Sequence, residues 1–112
     1  MRKTYHVTQA MIDRYGVING DRDIIHYDAD YARQRGFPAP LAHGLMVQGY
    51  ANDMAMDVYG ADWCTRGSIK VKFVKPVYPD EDITIEINES GEITATAPHG
   101  VAMVGTATLR AG

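Results

Sequence analysis

Among its 112 residues the chain has a single cysteine, Cys64, so no internal disulfide can close and no Cys/His spacing matches a zinc site. Basic residues are also scarce: 11 Lys and Arg stand against 14 Asp and Glu, a formal charge of -3. That balance excludes a general polyanion-binding surface, and no nucleic-acid partner is expected. No apolar run reaches the roughly 20 residues of a membrane span. The opening MRKTYHVTQAMIDRYG lacks the unbroken apolar core of a secretory signal. Together with the lone cysteine, this predicts a cytoplasmic protein that does not engage a membrane. Internal repeats and low-complexity linkers are missing too, so a single domain over residues 1–112 is expected, built on one core.

What is present is globular in composition, with 46% apolar and 22% charged residues, enough to build that core. KTYHVT alternates like a short strand. TQAMIDRYGV reads as a small helix capped by Thr8, with Ala10, Met11, Ile12 and Tyr15 near helical spacing and Gly16 as its stop. DADYARQRGF reads as a second short helix, opened by Asp28 or Asp30 and closed by Gly36 before the PAP break. From His43 to Tyr59 apolar residues occupy most of the helical circumference, which predicts one long helix buried on several sides and stopped by Gly60. In it, Gly44, Gly49 and Ala51 suit close packing or a ligand better than they suit helix propensity.

After Trp63 the period changes to two: SIKVKFVKPVYP, DITIEINES, GEITATAP and VAMVGTATLR read as strands, with turns at Ser90-Gly91 and His99-Gly100. Helices followed by a run of strands predict an α+β fold, an antiparallel sheet of about five strands curved around the long helix. So apolar a helix is hard to cover in so small a chain. A homodimer is expected, or a higher or hetero-oligomer.

Chemistry concentrates in GDRDIIHYD, Gly20 to Asp28. Asp21 and His26 are five residues apart, too far for neighbours on one helical face but within reach across a bent loop. A carboxylate beside an imidazole favours its charged form and orients it for proton transfer. The same stretch also fits a solvated capping turn, or a metal site formed by Asp21, Asp23, His26 and Asp28. The calcium-loop pattern fails for want of its glycine and final glutamate, and no metal is expected. In LAHGLM, Gly44 falls where a long helix begins, and the first amides of a helix have no internal acceptor. An exposed Gly44 N–H would suit an oxygen gaining negative charge; close packing at Gly44, with His43 capping or packing nearby, is the simpler account.

Taken together, NGDRDIIHYDADYARQRGFPAPLAHGLM resembles the signature of the MaoC-like dehydratase and (R)-specific enoyl-CoA hydratase family, and the likeness runs from YHVTQAMIDRY through KPVYPDEDITIEI to GTATL. The resemblance implies a hot-dog fold, an antiparallel sheet wrapped round one long helix and normally paired as a dimer. It implies reversible addition of water to 2-enoyl thioesters, with Asp21 and His26 as catalytic dyad, Gly44 as oxyanion donor, and neither metal nor redox cofactor. It further implies an acyl-CoA substrate, or an acyl carrier protein thioester. Asn52 falls where some relatives place a polar residue near the dyad. Met46, Val47, Tyr50 and Met54 are candidates for the acyl tunnel, although Met at such spacing is more often core. The clusters Arg33/Arg35 and Lys70/Lys72/Lys75 suit carrier phosphates or simply solvated faces. Two positions depart from the family pattern: Asp23 stands for its usual Asn and Ile24 for its usual Pro. The rival readings are a hot-dog thioesterase using Asp53 or Asp57 of the long helix, and a non-catalytic subunit that supports an active partner.

Overall fold

A computed structural model describes residues 1–111, and its element order follows the expected pattern. Strand β1 spans Arg2–His6 and helix α1 Gln9–Asn19; a 3-10 turn at Ile24–His26 and helix α2, Ala29–Gln34, follow. The long helix α3 spans Gly44–Tyr59 and a short α4 spans Ala61–Arg66. The strands β2 (Gly67–Phe73), β3 (Asp82–Ile87), β4 (Glu92–Ala97) and β5 (Gly100–Leu109) complete the chain. All pair antiparallel in the order β1-β3-β4-β5-β2.

The core lies between α3 and one face of this sheet. Strict alternation turns Ile83, Ile85 and Ile87 of β3 inward with Ile93 and Ala95 of β4, and α3 meets them with Met46, Val47, Ala51, Met54 and Ala55. Each such fully buried large side chain contributes about 1.5–3 kcal/mol, so this contact sets the position of α3 on the sheet. A sheet curled against one long helix is the hot-dog arrangement.

Two expectations are corrected and one element is added. Gly16 does not end α1: the helix continues to Asn19 and stops at Gly20, whose φ of 76° is the left-handed conformation that glycine adopts without strain. Gly60 ends α3 as expected; the short helix α4 that follows it, with Trp63 buried, is the element the sequence pattern does not show. Within the single chain, helix α3 is not buried on several sides. It leaves Leu45 60% and Met56 45% exposed, and a Cβ added at Gly49 would meet open space.

A bulge between β4 and β5 has a local consequence for the site. The register passes from Ala95↔Met103 to Thr96↔Val101, so the adjacent residues Ala102 and Met103 are both buried. The Ala102 carbonyl there accepts the Val74 and Lys75 N–H groups at 2.7 and 3.2 Å, tethering the end of β2 beside the start of α3.

Candidate active site

The acidic loop is a run of side chains bonding backbone two residues ahead. Asn19 Oδ1 accepts the Asp21 N–H at 2.9 Å, Asp21 Oδ1 the Asp23 N–H at 3.0 Å, and Asp23 Oδ1 the Ile25 N–H at 3.1 Å. Such short-range bonds are the reason Asn and Asp favour turns. Asp28 then caps α2 by accepting the Tyr31 N–H at 3.0 Å. The capping-turn reading is therefore correct for part of this stretch, and it accounts for Asp23: its carboxylate caps the 3-10 turn.

Asp21 has a second oxygen to spare. Its Oδ2 lies 3.2 Å from His26 Nε2, so the loop brings together the two residues five apart in sequence. The Leu41 carbonyl accepts a hydrogen bond from His26 Nδ1 at 2.8 Å. A carbonyl only accepts, so Nδ1 carries a proton and Nε2 is the nitrogen presented to the carboxylate. The backbone is held as well: Leu41 N–H donates to the Ile25 carbonyl and Gln9 Nε2 to the His26 carbonyl. The Asp21 carboxyl pKa is lowered, first by the Asp23 N–H it accepts and then by the charges of His26 and His43, against partial burial.

His43 completes the cluster. It is 2% exposed and its ring stacks on that of His26, centroids 4.0 Å apart and planes 25° apart. Its Nε2 lies 3.1 Å from the Tyr27 hydroxyl, which donates to the Asp21 carbonyl at 2.6 Å. With the hydroxyl proton committed there, the oxygen accepts from His43 Nε2–H. Burial, then the neighbouring His26, lowers the His43 pKa, and Asp21 opposes this. Burial first, then Asp21, raises that of Tyr27. Sequence reasoning did not single out Tyr27 and saw His43 only as a cap or packing residue.

Ligating atoms of Asp21, His26 and His43 lie within 4.8 Å of one another. Stacked imidazoles direct their nitrogen lone pairs along nearly parallel planes, however, and do not converge at the roughly 2.0–2.1 Å of a zinc–nitrogen bond. The cluster suits proton exchange better than metal ligation.

A cleft of about 380 Å³ is lined by His26, Leu41, Gly44, Val47, Phe73 and Ala102, among others. Gly44 is the first residue of α3, and no acceptor among the described residues takes its N–H. A Cβ there would come within 3.0 Å of the Phe73 ring. A second cleft, about 350 Å³, is bordered by Asp21, Tyr27 and Arg22. The Asp21–His26 pair thus stands between the two.

The remaining candidates are dispersed. Val47 borders the first cleft, whereas Met46 and Met54 are buried in the core. Tyr50 stacks on Tyr5 of β1 at 4.4 Å, away from the residues of that cleft. Asn52 is not beside the dyad: its Oδ1 accepts the Trp63 indole N–H at 2.8 Å. Eight residues from Gly44 carry it about 80° around the helix, towards α4.

The MaoC like domain family model matches residues 1–109. Over 81 residues, 70% of this chain and 27% of the relative, the sequence is 37% identical to 3-hydroxyacyl-thioester dehydratase Y of Mycobacterium tuberculosis. The chain spans between about an eighth and about a quarter of the length of the first curated relatives it matches. Its fold is similar to that of the ChsH1-ChsH2 complex from Mycobacterium tuberculosis, with a TM-score of 0.79 at 16% identity over 98% of this chain and 94% of that one. It is similar also to an (R)-hydratase from A. caviae involved in PHA biosynthesis, with a TM-score of 0.78 at 16% identity over 100% and 93%. The matched residues take in both the acidic loop and the start of α3, and the chain belongs to the MaoC-like domain family.

Proposed function

We propose that the chain catalyses reversible hydration of 2-enoyl thioesters through Asp21 and His26, with the Gly44 N–H holding the thioester oxygen. The observation that carries this reading is the Asp21 carboxylate 3.2 Å from His26 Nε2, beside a cleft lined by both His26 and Gly44. In the hydration direction, water oxygen bonds to C3 while its proton passes to the pair, and a proton from the pair reaches C2. The pair thus returns to its starting protonation, and the sum is addition of H and OH across the double bond. Negative charge gathers on the thioester oxygen between these events. A fixed donor at a helix start stabilises it without reorganising.

The substrate class is an acyl group on coenzyme A or on a carrier protein. In support, Lys75 lines the cleft beside Phe73 and Val74, and Lys70 and Lys72 are exposed on the same edge of the sheet. Arg33 and Arg35 are exposed on and after α2. These cations suit a phosphate-bearing carrier in a chain that is acidic overall.

The thioesterase reading has less support. Asp53 of α3 accepts the Tyr5 hydroxyl at 2.9 Å and pairs with Lys3 at 3.3 Å, and it does not line the cleft that holds His26. A hetero-oligomeric role is favoured by one observation, the exposed apolar face of α3, and a related fold occurs in the ChsH1-ChsH2 complex.

The test is incubation of the purified protein with crotonyl-CoA and with a bulkier enoyl-CoA, following the conjugated thioester absorbance and free thiol. Absorbance is expected to fall without thiol release, and both Asp21→Asn and His26→Ala to abolish the change. Thiol release that survives both substitutions would overturn the reading.

A further inference from the structure

Beyond the two residues assigned to proton transfer, the site contains a buried histidine and a tyrosine for which that chemistry has no direct use. We propose that His43 and Tyr27 are positioning residues for the Asp21–His26 pair: the His43 ring backs the His26 ring, and the Tyr27 hydroxyl ties His43 to the Asp21 backbone. The proposal rests on the hydratase reading of the pair, and it concerns how the pair is held rather than what it reacts with.

Four observations carry it. His43 stands at the N-cap of α3 yet makes no side-chain cap bond, so the ordinary use of a polar residue at that place does not explain it. Its ring lies 4.0 Å from that of His26 in a near-parallel stack, on a face where a flexible neighbour would let the imidazole swing from the carboxylate. A directed chain of donors, His43 Nε2–H to Tyr27 Oη–H to the Asp21 carbonyl, closes at 3.1 and 2.6 Å. Asp21 is thereby gripped at its carbonyl while its carboxylate faces His26. The other nitrogen of His43, Nδ1, is buried with no partner among the described residues.

Gly16 supplies an independent sign. It is buried in the interior of α1, where alanine would favour the helix, yet an added Cβ would collide with the Tyr27 hydroxyl. The absence of a side chain at Gly16 makes room for that hydroxyl. The ionisable groups around the relay are Asp13 and Tyr15 from α1, Asp21 and Arg22 from the loop, and His26 from the 3-10 turn.

The experiment compares the native chain with Tyr27→Phe, His43→Phe and Gly16→Ala, measuring kcat and KM for crotonyl-CoA, the pH profile of kcat, and the His26 imidazole titration by NMR. The phenylalanines keep a ring and remove the hydrogen bond; the alanine displaces the hydroxyl without altering any group of the relay. Each is expected to lower kcat by about 100-fold, the scale of a misplacement near 1 Å, and to move the His26 titration. The KM should stay within about twofold, since substrate contacts are intact. Folded variants with native kcat and an unmoved His26 titration would overturn the proposal. Should the native chain prove inactive on every enoyl thioester, the hydratase reading fails by itself. The NMR titration still decides the positioning: a shift in Tyr27→Phe or Gly16→Ala upholds it, and no shift overturns it.

Discussion

Asp21 and His43 respond to acid for different reasons, and each has a predicted signature. The folded-state pKa of Asp21 is lowered by the Asp23 N–H and the neighbouring histidines. A group of this kind contributes stability that is fully present above its unfolded value of about 3.9 and is lost as pH falls through the folded value. The difference in urea midpoint between the native chain and Asp21→Asn should therefore shrink as pH falls below about 4. His43 is a base whose pKa is lowered, first by burial. The unfolded chain takes up that proton before the folded one does, so stability should fall as pH drops below about 6.5. His43→Phe removes this contribution, and its urea midpoint should vary less than the native one between about pH 7 and 5. An equal slope in both proteins would contradict the assignment. The pairing of Asp21 with His26 was legible because complementary groups five residues apart meet readily across an Asp-rich turn. The part played by Tyr27 was not: it depends on Gly16, in another element, leaving space for one hydroxyl.

Helix α3 begins at the cleft, and the element can be tested there without removing a side chain. Gly44 is its first residue, a place where proline is well tolerated because the N–H is unpaired within the helix. His43, with φ -65° and ψ 136°, already has the extended backbone that precedes proline comfortably. Gly44→Pro thus removes the proposed oxyanion donor while leaving the helix start in place. Crotonyl-CoA hydration should fall by about 10²–10³-fold, as when one such donor is lost elsewhere. Gly44→Ala keeps the N–H but presses a methyl against the half-exposed Phe73 ring, and should cost less. Equal losses in the two variants would assign the effect to Phe73 instead of the N–H. The start of α3 was readable from the sequence, since FPAP cannot continue a helix and the apolar pattern begins just beyond it. The extension of α1 past Gly16 was not, because a glycine inside a helix looks like a stop until Tyr27 is seen to lie over it. Helix α4 was missed for a related reason: its six residues are too few to show a period, and the anchoring of Trp63 on Asn52 is a tertiary contact.

At the scale of the molecule, the exposed apolar surface sets the relation between one chain and its neighbours. The composition of α3 suggested burial on several sides, yet Leu45, Gly49 and Met56, spaced at four and seven residues along one face, are exposed. Phe73 and Val74, each 49% exposed, extend the apolar surface at the end of edge strand β2. We propose that a second hot-dog chain covers this face, a second copy in the simplest case. Gly49 is the position that tests it. An added Cβ there touches nothing among the described residues, so Gly49→Arg leaves the protomer core intact and, by glycine's poor helix propensity, favours α3 by up to about 1 kcal/mol. Across an interface the same side chain would place a charge among apolar groups, where removal from water costs several kcal/mol unless a partner meets it. Sedimentation equilibrium should accordingly give a dimer for the native chain and a monomer for Gly49→Arg, with unchanged far-ultraviolet circular dichroism. If the variant still dimerises with native affinity, α3 is not the contact. If the native chain is itself a monomer and co-purifies with a second hot-dog chain only when Gly49 is present, the hetero-oligomer takes the place of the homodimer.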